Sequence, residues 1–166
     1  MIFASIPAGA AIFLDANTLI YHFSMHAQYG AACTQLLKRI ELQQLDGFTS
    51  AHVLSDVVHR LMTLEAASLP GWTYKGIVTR LRKHHAEIPK LTVFPQAIAA
   101  IRPMRIQVLP VTHDLVESAT QLSQQHELLT GDALIIAVMQ AHGLTNLASL
   151  DPDFDRVSGI TRYAPA

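Results

Sequence analysis

The sequence predicts an α/β fold, a three-layer α/β/α sandwich around a mostly parallel sheet of four to five strands. Two observations carry this. Short apolar runs alternate along the chain with longer stretches whose apolar residues recur at helical spacing, the pattern of strands joined by crossover helices. Pro70-Gly71, Pro89, Pro103 and Gly143 punctuate those runs where an element has to stop. Alternation of this kind implies a parallel sheet covered on both faces.

The run Ala11-Ile12-Phe13-Leu14 reads as a buried strand, with a helix starting at 17–23 and continuing over 29–45, where Leu36, Leu37, Ile40 and Leu45 keep helical spacing. Gly47-Phe48-Thr49 is a short second strand. From Val53 the apolar residues Val53, Leu54, Val57, Val58, Leu61 and Met62 mark an amphipathic helix. The segment 70–105 reads as one or two basic helices bounded by Pro89 and Pro103. A third strand is expected at 106–109, a helix at 113–126, and a nearly all-apolar helix at 132–142 closed by Gly143. A fourth strand at 146–150 and a fifth at 160–163 complete the sheet. There is no internal repeat and no low-complexity tract.

With 166 residues the chain is expected to be one domain with a proper core, and half of its residues are apolar, which argues against disorder. The net charge of −1 gives no global attraction to nucleic acid or membrane, but seven of the 12 basic side chains fall between Trp72 and Arg105, against Glu87 alone. The single Cys33 rules out an intramolecular disulfide and any multi-cysteine zinc site. No basic signal segment opens the chain and no apolar run approaches the ~20 residues of a membrane span, so a cytoplasmic protein without membrane attachment is expected.

Four aspartates hold most of the chemical information. Asp15 and Asp151 follow strands, so in an open parallel sheet both project beyond the carboxyl edge, where ligands bind. Asp132 opens a helix, and Asp56 lies on a helical stripe with His52, His59 and Thr63. Each has an ordinary explanation: Asp15 as a helix N-cap, Asp151 before Pro152 as a turn residue, Asp132 as a cap favoured by the helix dipole, and Asp56 as part of a solvated face. Together they describe a carboxylate cage, because clustered carboxylates repel and a hard divalent cation is the usual way to hold them.

The strings Ile12-Phe13-Leu14-Asp15-Ala16-Asn17-Thr18-Leu19-Ile20, Thr49-Ser50 with Val53-Leu54-Ser55-Asp56-Val57-Val58, Gly131-Asp132-Ala133-Leu134-Ile135-Ile136-Ala137, and Ser149-Leu150-Asp151-Pro152-Asp153-Phe154 resemble the four acidic motifs of PIN domains, and most of all those of VapC-like toxin ribonucleases. The resemblance spans 12–160. Two residues depart from the pattern: Asp56 stands where the family usually has glutamate, and Ser149 where threonine is frequent. The shorter Asp56 arm is expected to reach a metal through water rather than directly. The segment 70–105 is also long for a compact toxin.

The resemblance implies a metal-dependent endoribonuclease using Mg²⁺ or Mn²⁺, the toxin of a toxin–antitoxin pair, with RNA as substrate and a small antitoxin as partner, and the apolar, charge-poor composition adds the expectation of a homodimer. The alternative is a non-catalytic PIN-like module that binds RNA or protein. The chemistry agrees with the first, since divalent ions activate water and neutralise phosphate charge, and oxygen ligands suit Mg²⁺ and Mn²⁺. Asp15, Asp132 and Asp151 are the expected metal ligands, with Asp56 binding or orienting and Asp153 extending the site. Asn17, Thr18, Ser50 and Ser149 are expected to hydrogen-bond carboxylate or phosphate, and Asp155 to be a surface residue. Trp72, Arg80, Arg82 and Lys83 are candidates to bind RNA, the alternatives being a solvated face with Trp72 in the core, or an arm that covers a partner. His22 and His26 have the spacing of a zinc pair, but no third ligand follows in a recognisable pattern.

Overall fold

A computed structural model describes all residues from 1 to 166. The elements are β1 (Ala11–Leu14), α1 (Ala16–Phe23), α2 (Gly30–Glu41), β2 (Asp46–Ser50), α3 (Ala51–Ala67), α4 (Ile77–Lys83), α5 (Val93–Ile101), β3 (Gln107–Leu109), α6 (His113–His126), α7 (Thr130–Ala141), β4 (Asn146–Ala148) and β5 (Thr161–Tyr163), with 3-10 helices at Phe3–Ser5, His85–Lys90 and Pro152–Arg156. The five strands form one sheet in the order β3-β2-β1-β4-β5, and every pairing is parallel. The helices fall into two groups that pack among themselves, α1 to α5 on one hand and α6 with α7 on the other. Right-handed crossovers put those groups on opposite faces of the sheet. This is the α/β/α sandwich anticipated from the alternation of runs.

Burial explains why the central strand has no polar residue. Ile12, Phe13 and Leu14 of β1 are all fully buried, and Leu147 and Ala148 of β4 join them in a core of 31 residues. α2 lies close on β2 because Gly47 has no side chain: a Cβ there would stand 2.6 Å from Ile40 Cγ2. A second, smaller cluster of Ala66, Ile77, Leu81 and Leu91 ties the segment 70–105 to the end of α3. Glu65 reinforces the join, accepting the backbone N–H groups of Thr92 and Val93 at 2.9 Å each and so capping α5 from outside its own sequence. No helix is long and apolar enough to cross a membrane.

Several boundaries differ from the sequence expectation for local reasons. α2 stops at Glu41, not at 45, because Gln43 turns into the left-handed region at φ 57, and Leu45 is buried from the following loop instead. β4 ends at Ala148, which frees Ser149 and Leu150 to bend toward the acidic residues. α7 begins at Thr130, so Asp132 occupies its first turn rather than the cap. The polar stripe on α3 is incomplete: Thr63 is buried, with its hydroxyl donating to the Arg60 carbonyl at 2.9 Å.

Candidate active site

The strand order sets where chemistry can occur. From β1 the chain proceeds to β2 and β3 in one direction, then jumps to β4 and β5 on the other side. The reversal between β1 and β4 is the topological switch point, where the two crossovers part and leave a crevice. Asp15 follows β1 and Asp151 follows β4 by three residues, so both lie at that crevice. Leu14 is in register with Ala148, and the next pair outward is Asp15 beside Ser149.

A closed network holds this pair. Ser149 Oγ donates to Asp15 Oδ2 at 2.6 Å, and the Asn17 side-chain amide donates to that same oxygen and to Ser149 Oγ, the latter at 3.0 Å. Asp15 Oδ1 accepts the Ala16 N–H, so the residue is an N-cap as well. Asn17 Oδ1 accepts the Leu150 N–H at 3.2 Å, and Ser149 Oγ accepts that of Asp151 at 3.0 Å. Two residues near 15 and three near 150 are thereby locked together across more than 130 positions of sequence. Carboxylate oxygens have further lone pairs, so this network leaves Asp15 able to accept a cation.

The acids act on one another. Burial pushes the Asp15 carboxyl up to about 6; its bonds from Ser149 and Ala16 oppose that shift, and the charges of Asp132 and Asp151 add to it. Burial likewise raises Asp132, helped by Asp151, Asp153 and Asp56. Residues just after β1, on α3, on α7 and after β4 therefore share one electrostatic neighbourhood. Their side chains do not close on a common centre: no three His, Cys, Asp or Glu groups are grouped to hold an ion. Asp15, Asp151 and Asp153 rest on protein donors instead. Asp151 Oδ1 accepts the Asp153 N–H at 2.9 Å, as the turn-residue role requires, and Asp153 pairs with Arg156 at 2.8 Å. The oxygen-only donor set, with buried carboxyls that Asp151 and its neighbours raise further, fits a hard divalent cation.

The remaining candidates are placed as follows. Ser50 is buried at the end of β2 with its hydroxyl 2.9 Å from His52 Nδ1. Thr18 is fully buried and donates to the Ala148 carbonyl at 2.9 Å, so it pins α1 to β4 and is closed to a phosphate. Asp56 is exposed. In the basic segment Trp72 is half-buried against the smaller core, and the Arg80 guanidinium lies 4.6 Å from its ring centre while donating to the Gly71 carbonyl. Arg82 and Lys83 are exposed. Two participants that sequence reasoning passed over are His52, whose half-buried ring has its pKa lowered by burial and opposed by Asp56, and Arg156 on Asp153. Two separate cavities, about 360 Å³ beside Phe3, Leu36 and Arg39 and about 240 Å³ between Phe23, Leu61 and Val93, include none of the clustered aspartates. Asp15 is buried, Asp132 and Asp151 are half-buried, and Asp56 is exposed, so the cluster runs from the sheet edge out to the surface.

Fold and site together define a class of α/β domains that gather carboxylates at the switch point of a parallel sheet. The family model of the PIN domain matches residues 12–160. The chain belongs to the PIN domain family. Over 89 residues, 53% of this chain and 68% of each relative, it is 33% identical to Ribonuclease VapC13 of Mycobacterium tuberculosis and to a VapC ribonuclease of Mycobacterium bovis. Among solved structures it is similar to a toxin–antitoxin complex from Klebsiella pneumoniae, at a TM-score of 0.57 and 19% identity, covering 90% of this chain and 95% of that one. It is also similar to VapC20 of Mycobacterium tuberculosis, a toxin cleaving the sarcin–ricin loop, at a TM-score of 0.57 and 23% identity, covering 87% and 92%.

Proposed function

We propose that this protein is a metal-dependent endoribonuclease that hydrolyses RNA phosphodiester bonds, and that it is the toxin of a toxin–antitoxin pair acting in the cytoplasm. The observation that carries the proposal is the acid cluster of four separate elements at the switch point, in a chain whose curated relatives are VapC ribonucleases. Asp15, Asp132 and Asp151 hold Mg²⁺ or Mn²⁺, with Asp153 at the margin. A bound divalent ion supplies water activation and charge neutralisation at the phosphate. Asn17 and Ser149 fix the Asp15 carboxylate in one orientation, and desolvation of that carboxylate strengthens its attraction for a cation. Asp56 faces solvent from α3, at the side where substrate enters. Arg82 and Lys83 are the exposed basic groups of α4 that meet RNA phosphates. The 166 residues form a single nuclease unit, with 70–105 as an arm packed on α3.

Incubating the purified protein with single-stranded RNA, in Mg²⁺ or Mn²⁺ and in chelator, tests this directly. Cleavage with metal and none in chelator is the expected result; a folded protein that binds RNA without cutting it would instead establish the non-catalytic module. Asp56 offers a finer test. Because it is exposed, a longer side chain meets no overpacking, so Asp56→Glu should cleave as well as wild type or better at limiting metal, and Asp56→Ala worse. Equal rates for all three would remove Asp56 from the site.

The same proposal includes two protein partners. Half the residues are apolar and only 15% are charged, a composition that favours covered surface, so a homodimer is expected by light scattering at micromolar concentration. A small antitoxin encoded beside this gene should co-purify and relieve toxicity, its acidic groups meeting Arg82, Arg102 or Arg105. A monomer, or co-expression without complex or rescue, would remove the respective claim.

A further inference from the structure

We propose that Arg162 of β5 is a positioning residue that fixes the two peptide groups before Asp151 and so sets the aim of that carboxylate. This rests on the reading of the acidic cluster as a metal site. The Arg162 side chain is only 16% exposed, and its planar guanidinium makes four hydrogen bonds. Nε and Nη2 donate to Asp155 Oδ1 and Oδ2 at 2.9 and 2.7 Å, a bidentate fork. Nη1 donates to the carbonyls of Ser149 at 3.2 Å and Leu150 at 3.4 Å.

Those two carbonyls belong to peptide groups whose other ends are already bound. The peptide joining Ser149 to Leu150 has its N–H on Asn17 Oδ1, and the peptide joining Leu150 to Asp151 has its N–H on Ser149 Oγ. Each plane is thus gripped on one side by Arg162 and on the other by the network that holds Asp15. A peptide plane held at both its oxygen and its hydrogen cannot rotate about the chain axis. The chain then enters Asp151 from a single direction, and Pro152 fixes it on the far side. Asp155 completes the device by holding the fork flat. The Ser149 N–H still donates to the Tyr163 carbonyl at 2.9 Å, and beyond it the carbonyls of Ser149 and Leu150 go to Arg162 instead of the sheet ladder.

Charge alone makes the opposite prediction from positioning, which gives the test its sign. A cation near the cluster repels a divalent ion, so a purely electrostatic Arg162 would, once removed, let Mn²⁺ bind more tightly. Loss of a residue that orients a metal ligand typically weakens metal binding by about tenfold to a hundredfold. Mn²⁺ binding, followed by electron paramagnetic resonance on the full-length protein, should therefore be weaker by about that factor in Arg162→Gln. Arg162→Lys should also be weaker, because a point ammonium keeps the charge but not the four-way fork. Asp155→Asn, an exposed change that preserves folding, should fall between wild type and Arg162→Gln. In each variant the metal concentration for half-maximal cleavage should rise, with the rate at saturating metal recovering.

Circular dichroism and melting confirm that the compared proteins are folded; if Arg162→Gln does not fold, the other two carry the comparison. Arg162→Lys and Asp155→Asn that both match wild type in Mn²⁺ affinity, or an Arg162→Gln that binds Mn²⁺ as tightly or more tightly, would overturn the proposal. Wild-type protein that binds no Mn²⁺ would instead refute the metal reading, and the role of Arg162 with it.

Discussion

Asp15→Asn and Asp132→Asn should each reduce RNA cleavage by more than about a hundredfold, the upper end of what losing a mere supporting partner of a metal ligand costs. Both replacements keep the shape of the side chain and remove its charge. Asp15 lies at the centre of the cluster, receiving hydrogen bonds from Ala16, Asn17 and Ser149 and facing the charges of Asp132 and Asp151. Asp132 is opposed by Asp151, Asp153 and Asp56. A divalent ion gains from every one of those charges, and losing either central carboxylate lowers its occupancy as well as its placement. Folding should survive, because neither side chain packs in the apolar core. Wild-type rates in both variants would remove the site.

The second large effect concerns stability without metal, and its sign is opposite. The Asp15 carboxyl titrates at about 6 in the folded protein against 3.8 for its ordinary value. The folded chain therefore keeps a proton that the unfolded chain has released, and stability falls as pH rises from about 4 to about 6, remaining lowered above that. The shift corresponds to at most about 3 kcal/mol at neutral pH, since one unit is worth about 1.4 kcal/mol. Asp15→Asn cannot ionise, so it escapes the penalty, but if its amide oxygen keeps the place where Asn17 and Ser149 donate, its NH2 faces the Ala16 N–H and that bond is lost, at about 1 kcal/mol. The net expectation is that metal-free Asp15→Asn melts higher than wild type by roughly 4–8 °C above pH 6, with the gap closing or reversing below pH 4. Melting curves in chelator across that range check it. A wild type that is the more stable at pH 7 in chelator would show that the buried charge is compensated in another way.

How much of this could be read from the chain depends on the range of the interaction. Strand and helix identity came from local periodicity, and β1 was legible because three consecutive residues, Ile12, Phe13 and Leu14, are all core. The positions of Asp15 and Asp151 followed from the rule that ligands gather at carboxyl edges. What was hidden is contact between distant segments. Nothing local announces that Asn17 reaches Ser149 and Leu150, that Glu65 caps α5, or that Arg162 closes on the loop after β4. Trp72 and Arg80 were legible as an aromatic and a cation, but not as a pair already stacked on each other. Leu45 shows the reverse error, in which helical spacing is shared by a buried residue that lies in a loop.

The central claim is that carboxylates at the end of β1, on α7 and in the loop after β4 serve one divalent ion. The most direct measurement is the anomalous scattering of Mn²⁺ in crystals of this protein. The account predicts a peak at the switch point between β1 and β4, within ~2.1–2.6 Å of oxygens from at least two of Asp15, Asp132 and Asp151, the range of metal–oxygen bonds for hard cations. Saturating Mn²⁺ with no peak there, or with the ion held only by exposed residues elsewhere, would contradict it.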